Sequence, residues 1–117
     1  MASTTQIRAS KEQRHYASVA AGTTSTVDYT IPNGSELVFK QLGGSSSGGN
    51  SNVQIIWDPA GANQLVFATY GTQDQPSDLT FTGNGTKVMR IKLTNAGLTA
   101  QVLGAYFLFD EITTVSS

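Results

Sequence analysis

The sequence predicts an all-β fold: a single antiparallel β-sandwich of jelly-roll type, about eight strands, with an extended N-terminal arm. Three observations predict it. Apolar residues recur every second position in short segments, turn residues punctuate the chain roughly every 8–12 residues, and helical spacing is almost absent. A chain of 117 residues has the length of one ordinary domain and can build a core without metal or disulfide staples.

Met1–Gly22 is assigned to the arm and residues 23–117 to the sandwich, with a first candidate strand at His15–Ala21. Ser25–Ile31 alternates, placing Val27, Tyr29 and Ile31 on one face, and stops at the turn residues Pro32-Asn33-Gly34. Ser35–Leu42 follows with Leu37 and Phe39 on one face. Asn52–Asp58 sets Val53, Ile55 and Trp57 together, so the single tryptophan is expected in the core. Asp58-Pro59-Ala60-Gly61 turns the chain into Gln64–Tyr70. Gly71–Asp78 reads as a polar loop carrying Pro76, and Leu79–Thr82 is a short strand. Asn84-Gly85 is the strongest two-residue hairpin signal in the chain. Thr86–Thr94 then alternates cleanly, with Met89, Ile91 and Leu93 inward. Leu98–Ile112 is apolar on both faces, which predicts a central strand covered on two sides.

Leu42–Asn52, LGGSSSGGNSN, could be a linker or a loop. Cutting there would leave about two or three strands on the N-terminal side, too few for a core. A loop is therefore expected. Gly43, Ser46 and Gly49 become candidate contact residues that order on binding, against the plainer reading of a solvated loop.

Charged residues make up 13% of the chain, about half the usual share of roughly 25%. A neutral, hydroxyl-rich surface suits wet protein or sugar contacts better than polyanion steering. With a net charge of −1 and a pI of about 5.6, no nucleic-acid partner is expected. The arm is different: Arg8, Lys11 and Arg14 stand against Glu12 alone, while acids outnumber bases in the rest. Such an arm could reach a neighbouring copy or an acidic surface, with Tyr16 beside its cations. An untethered leader with a helical turn at Ser10–Tyr16 is the alternative.

There is no cysteine, hence no disulfide and no thiolate chemistry. The opening segment MASTTQIRASKEQRHY lacks the apolar centre of a secretory signal, and no apolar run reaches membrane length. Synthesis in a cytoplasm without export, and no membrane partner, are expected.

Catalytic patterns are missing. The single His15 lies in the arm, so no Ser-His-Asp triad is expected, and no phosphate-binding glycine loop or HExxH occurs. No enzymatic activity, cofactor or metal is expected. Asp58, Asp74 and Asp78 lie in loops that could meet at one end of a sandwich, but without a calcium-loop spacing. With Tyr70, a strand-end aromatic, they form an alternative sugar- or receptor-binding set.

The stretches VQIIWDPAGANQLVFATYG (Val53–Gly71), FTGNGTKVMRIKLTN (Phe81–Asn95) and LGAYFLFDE (Leu103–Glu111) carry a resemblance. Over roughly Ile31–Ile112 the chain resembles small β-sandwich accessory proteins of tailed-bacteriophage virions. In that group a strand–Trp-Asp–turn hairpin and an F-T-G-[ND]-G-T-K hairpin precede an alternating strand. The resemblance implies a capsid cement or decoration protein located in the virion. It further implies a jelly-roll homo-oligomer, often a trimer, whose partners are the major capsid protein or other virion proteins. A carbohydrate- or receptor-binding module of a tail or fibre is the alternative.

Overall fold

The computed structural model describes residues 4–46 and 50–116. Among these, nine strands run in the order β1 (Thr4–Val19), β2 (Thr23–Thr30), β3 (Ser35–Ser46), β4 (Ser51–Trp57), β5 (Gln64–Thr69), β6 (Gln73–Pro76), β7 (Thr80–Thr82), β8 (Val88–Asn95) and β9 (Gln101–Ser116). They form two antiparallel sheets. The larger has the order β1-β9-β3, with β6 and β7 sharing the far side of β3; the smaller has the order β2-β8-β4-β5. Counting β6 and β7 as one broken strand gives the paired four-stranded sheets of a jelly roll, the predicted fold.

Two-residue alternation builds the core between the sheets. Met89, Ile91 and Leu93 of β8 are fully buried, as are Leu103, Ala105 and Phe107 of β9. Phe39 packs edge-on against Phe81 and Phe107 at centroid separations of 5.6 and 5.4 Å. Trp57 is buried with Val53 and Ile55, as its phase predicts, and its ring lies 5.0 Å from that of Phe81.

Four segments differ from expectation. The arm residues, from Thr4 to Val19, form β1, an edge strand paired with β9 through sixteen successive residues. Neither a free arm nor a helical turn at Ser10–Tyr16 is present in this stretch. The candidate strand at His15–Ala21 catches only the end of β1, up to the buried Val19. The inward positions before it include Ala9, Lys11 and Gln13, since an edge needs little core contact, and that hid the rest of the strand from periodicity. The chain leaves β1 through Gly22, whose φ of +72° suits glycine, to enter β2 in the other sheet.

Most of the described part of the glycine-serine stretch is strand. β3 continues through Gly43, Gly44, Ser45 and Ser46 against β9. A register shift between Phe39 and Gln41 makes Lys40 the extra residue of a bulge, so the inward face passes from Leu37 and Phe39 to Leu42 and Gly44. Both glycines answer close approach: a Cβ on Gly44 would sit 2.5 Å from Val53 Cγ2, and one on Gly43 2.1 Å from Asp74 Oδ1. Gly49 lies outside the described residues.

The expected loop at Gly71–Asp78 contains β6, which pairs Gln73–Pro76 with Gly44–Gln41. Asn84-Gly85 is a turn but not a hairpin, since β7 and β8 belong to different sheets. Asn84 Oδ1 accepts from the backbone N–H of Thr86 and Lys87 at 2.9 and 2.8 Å, and Gly85 takes a φ of +86°. From this turn the chain crosses to the other sheet rather than running back along β7.

Candidate functional site

β9 is central, as predicted, but only its inner face is covered by the second sheet. Its outward residues are Val102, Gly104, Tyr106, Leu108, Asp110 and Ile112. The register lays the even-numbered residues of β1 and the outward residues of β3 beside them. Among the described residues no third layer lies over this face. Val102 is 60% and Tyr16 42% exposed, while Tyr106, Leu108 and Ile112 are half-buried.

At one end of the face, Arg14, Tyr106 and Gly43 form a row across three strands, and Asp74 of β6 stands opposite Gly43. Tyr106 OH donates to Asp74 Oδ1 at 2.7 Å and accepts from Gln41 Nε2 at 3.0 Å. Partial burial and the bond to Asp74 both push the Tyr106 phenol up. The Arg14 guanidinium lies 5.3 Å from the Tyr16 ring centroid and 5.4 Å from that of Tyr106, while its Nε donates to Glu12 Oε1. Tyr16 in turn covers Gly104. Two aromatic rings and a cation are thus held flat on the sheet over two glycines.

In the middle of the face sits Asp110, a carboxylate only 3% exposed. Lys40 Nζ donates to its Oδ1 at 3.0 Å, Arg8 Nη1 to its Oδ2 and Ser10 Oγ to its Oδ1 at 2.9 Å. These donors, Lys40 foremost and then Arg8 and Ser10, outweigh burial and hold the carboxyl down at about 2. Lys40 lies at the bulge, on the outward side beside β9. A shallow depression of about 320 Å³, lined by Ser10, Glu12, Lys40 and Leu108 among others, adjoins the cluster.

The candidate arm residues therefore divide by parity. Arg8, Arg14 and Tyr16 share the outer face with Gly43. Lys11 is odd-numbered and points inward, where its Nζ donates to Glu111 Oε2 at 2.8 Å and to Tyr29 OH at 3.3 Å, and Tyr29 OH donates to Glu111 Oε1. Glu111 and then Tyr29 raise the Lys11 pKa; burial pushes Glu111 up, but the Lys11 and Tyr29 bonds more than offset it. This closed cluster joins the two sheets. Ser46 is half-buried at the end of β3, with its Oγ directed to the Ser51 carbonyl at 3.5 Å.

The alternative set does not assemble. Tyr70, 73% exposed, follows one end of β5, whereas Asp58 precedes the other. The six residues of β5 hold them roughly 20 Å apart at strand rise. Asp58 is spent on its own turn, accepting from the Ala62 N–H at 3.0 Å, and Asp74 belongs to the Tyr106 row. Asp78 lies exposed between β6 and β7. Among the described residues no three acidic or histidine side chains gather as metal ligands. Reasoning from sequence missed Lys40, Tyr106 and Asp110; the signal available was the apolarity of β9 on both faces.

No family model matches the chain, and no curated protein matches it. Among solved structures it is similar to the Drosophila NLP core, a structure described as giving insight into pentamer formation and histone binding. The identity is 12%, the TM-score 0.41, and the match covers 86% of this chain and 95% of that one. A likeness at that level carries no argument about function.

Proposed function

We propose that this chain is a non-enzymatic virion structural protein, a capsid cement or decoration protein that docks on an assembled lattice through the outer face of its larger sheet. The observation that carries this reading is that β9 is apolar outward as well as inward, while no further layer of the described chain lies over the outward side. Tyr16, Val102, Leu108 and Ile112 supply apolar contact there, and Arg8, Arg14 and Lys40 supply cations beside it. Such a face, with aromatic and arginine anchors and few free charges, has the make-up of a protein-binding surface. The resemblance to phage virion sandwiches, of whose two hairpins only the one within Val53–Gly71 forms here, supplies the particle context.

Binding only to the assembled lattice favours it over its parts by linkage, and repeated copies multiply the effect through effective concentration. The test is to count copies per purified particle by quantitative mass spectrometry against the major capsid protein. Hundreds per particle are expected. A handful would move the protein to a tail or fibre, and absence from particles would overturn the reading.

A further inference from the structure

A sandwich is open to further pairing at its sheet edges, where a strand carries a row of unpaired N–H and C=O groups. Three of the four edges here are short. β2 has 8 residues, β5 has 6 beside a register shift, and β6 and β7 have 4 and 3, with Pro76 closing β6. β1 is the exception. It runs for 16 residues without proline and without a register shift against β9, and among the described residues no strand pairs its other side. Its one inward cation, Lys11, is already matched by Glu111 and Tyr29 and so does not repel an incoming strand.

We infer that this edge is a homodimer interface: a second copy of the chain lays its own β1 antiparallel alongside, about a two-fold axis at Gln13. Charge complementarity favours a second copy in this register. In a continuous antiparallel sheet with two-fold symmetry, opposed residues share a face, so even positions meet even and odd meet odd. Axes at Arg8, Lys11, Glu12 or Arg14 would each oppose a charge to its own copy, which is unfavourable. An axis at Gln13 opposes Glu12 of each copy to Arg14 of the other, next to the Glu12–Arg14 pair within each copy. Four charges then alternate in sign around the axis. Ala9 meets Ala17 and Ser10 meets Tyr16, while Lys11 meets His15, each held within its own copy, Lys11 by Glu111 and His15 by Ser25. An axis at Ser10 would oppose Glu12 to Arg8 instead, but Arg8 is already engaged by Asp110. The merged sheet sets the outer faces of the two copies side by side as one surface. The contact forms in the free protein and stands whether or not the capsid reading holds.

Sedimentation analysis of the full chain is expected to show a monomer–dimer equilibrium. Glu12→Arg and Arg14→Glu should each weaken the dimer by about ten-fold or more, and the double exchange should restore it. Thermal unfolding of each variant checks that the fold survives. The chain has no cysteine, so Gln13→Cys gives a clean second readout: facing Cα atoms at about 4.5–5.5 Å lie within disulfide reach. Mild oxidation should link Gln13→Cys into dimers and leave Ser10→Cys unlinked. A monomer at all concentrations, an oligomer indifferent to both charge inversions, or linkage through Ser10→Cys in place of Gln13→Cys would overturn the inference.

Discussion

The ring of Tyr16 lies directly over Gly104, so closely that a Cβ built on the glycine would sit 1.8 Å from Tyr16 Cδ1. The glycine is the seat for an aromatic side chain reaching from the edge strand onto the centre of the sheet. Gly104→Ala should displace the ring and lower stability by about 1–3 kcal/mol, the usual cost of overpacking. In Tyr16→Ala the same substitution should cost much less. Denaturant midpoints of the four proteins check the coupling.

Asn95 is buried and uses its whole amide. Nδ2 donates to the carbonyls of Val19 and Thr99 at 2.9 and 2.8 Å, and Oδ1 accepts from Ser51 Oγ and Gly97 N–H at 3.1 and 2.9 Å. It thereby ties the end of β1 to β4 and to the turn before β9. Asn95→Leu should destabilise by about 2–4 kcal/mol, since it strands several buried partners at once. Urea unfolding gives the number, and a change below about 0.5 kcal/mol would remove Asn95 from this role.

The depressed Asp110 carboxyl makes a signed prediction. Its charged form is favoured by folding, so the stabilisation is complete above its ordinary value of 3.8 and is lost as pH falls through about 2. Melting temperatures taken between those limits should fall with pH in the native chain. Asp110→Asn should start lower and show a flatter profile across the same window.

Removing residues 1–22 should not yield a trimmed but intact sandwich. It deletes the partner of β9 along its full length and the buried Val19, and exposes the outward groups of a 16-residue central strand. Aggregation, or loss of the cooperative melt, is the expected outcome. A soluble truncation with an unchanged melt would contradict the placement of β1.

Tyr106→Phe should keep the ring against Arg14 while losing the bonds to Asp74 and Gln41. A cost of about 0.5–1.5 kcal/mol is expected, measured by chemical denaturation.

Strands with a strict two-residue period were legible as written: Met89, Ile91 and Leu93, or Val53, Ile55 and Trp57, declare their inner face without help. Turn residues were only half legible. Asn84-Gly85 reports that the chain turns, but the choice between pairing back and crossing to the other sheet depends on strands far away in sequence. The bulge at Lys40 was hidden because one extra residue exchanges the two faces, so Leu42 and Gly44 fall out of phase with Leu37 and Phe39. Gly43 and Gly44 read as flexibility because their packing partners, Asp74 and Val53, come from other strands. The same holds for the candidate face: Arg8, Arg14 and Tyr16 were visible as residues, whereas Asp110 and Tyr106 became their neighbours only through the β1–β9 register.

That register also has a mechanical side. Thr4 stands opposite Ser116 at the very end of the ladder, so anything joined to either strand leaves the molecule from the same spot. A load applied between these two points would peel β1 from β9 one residue pair at a time, as a zip opens, rather than shear the whole ladder at once. The sandwich should therefore yield at low force when pulled by these strand ends, and resist far better when gripped at Thr4 and at Gln101, which loads the whole ladder in shear.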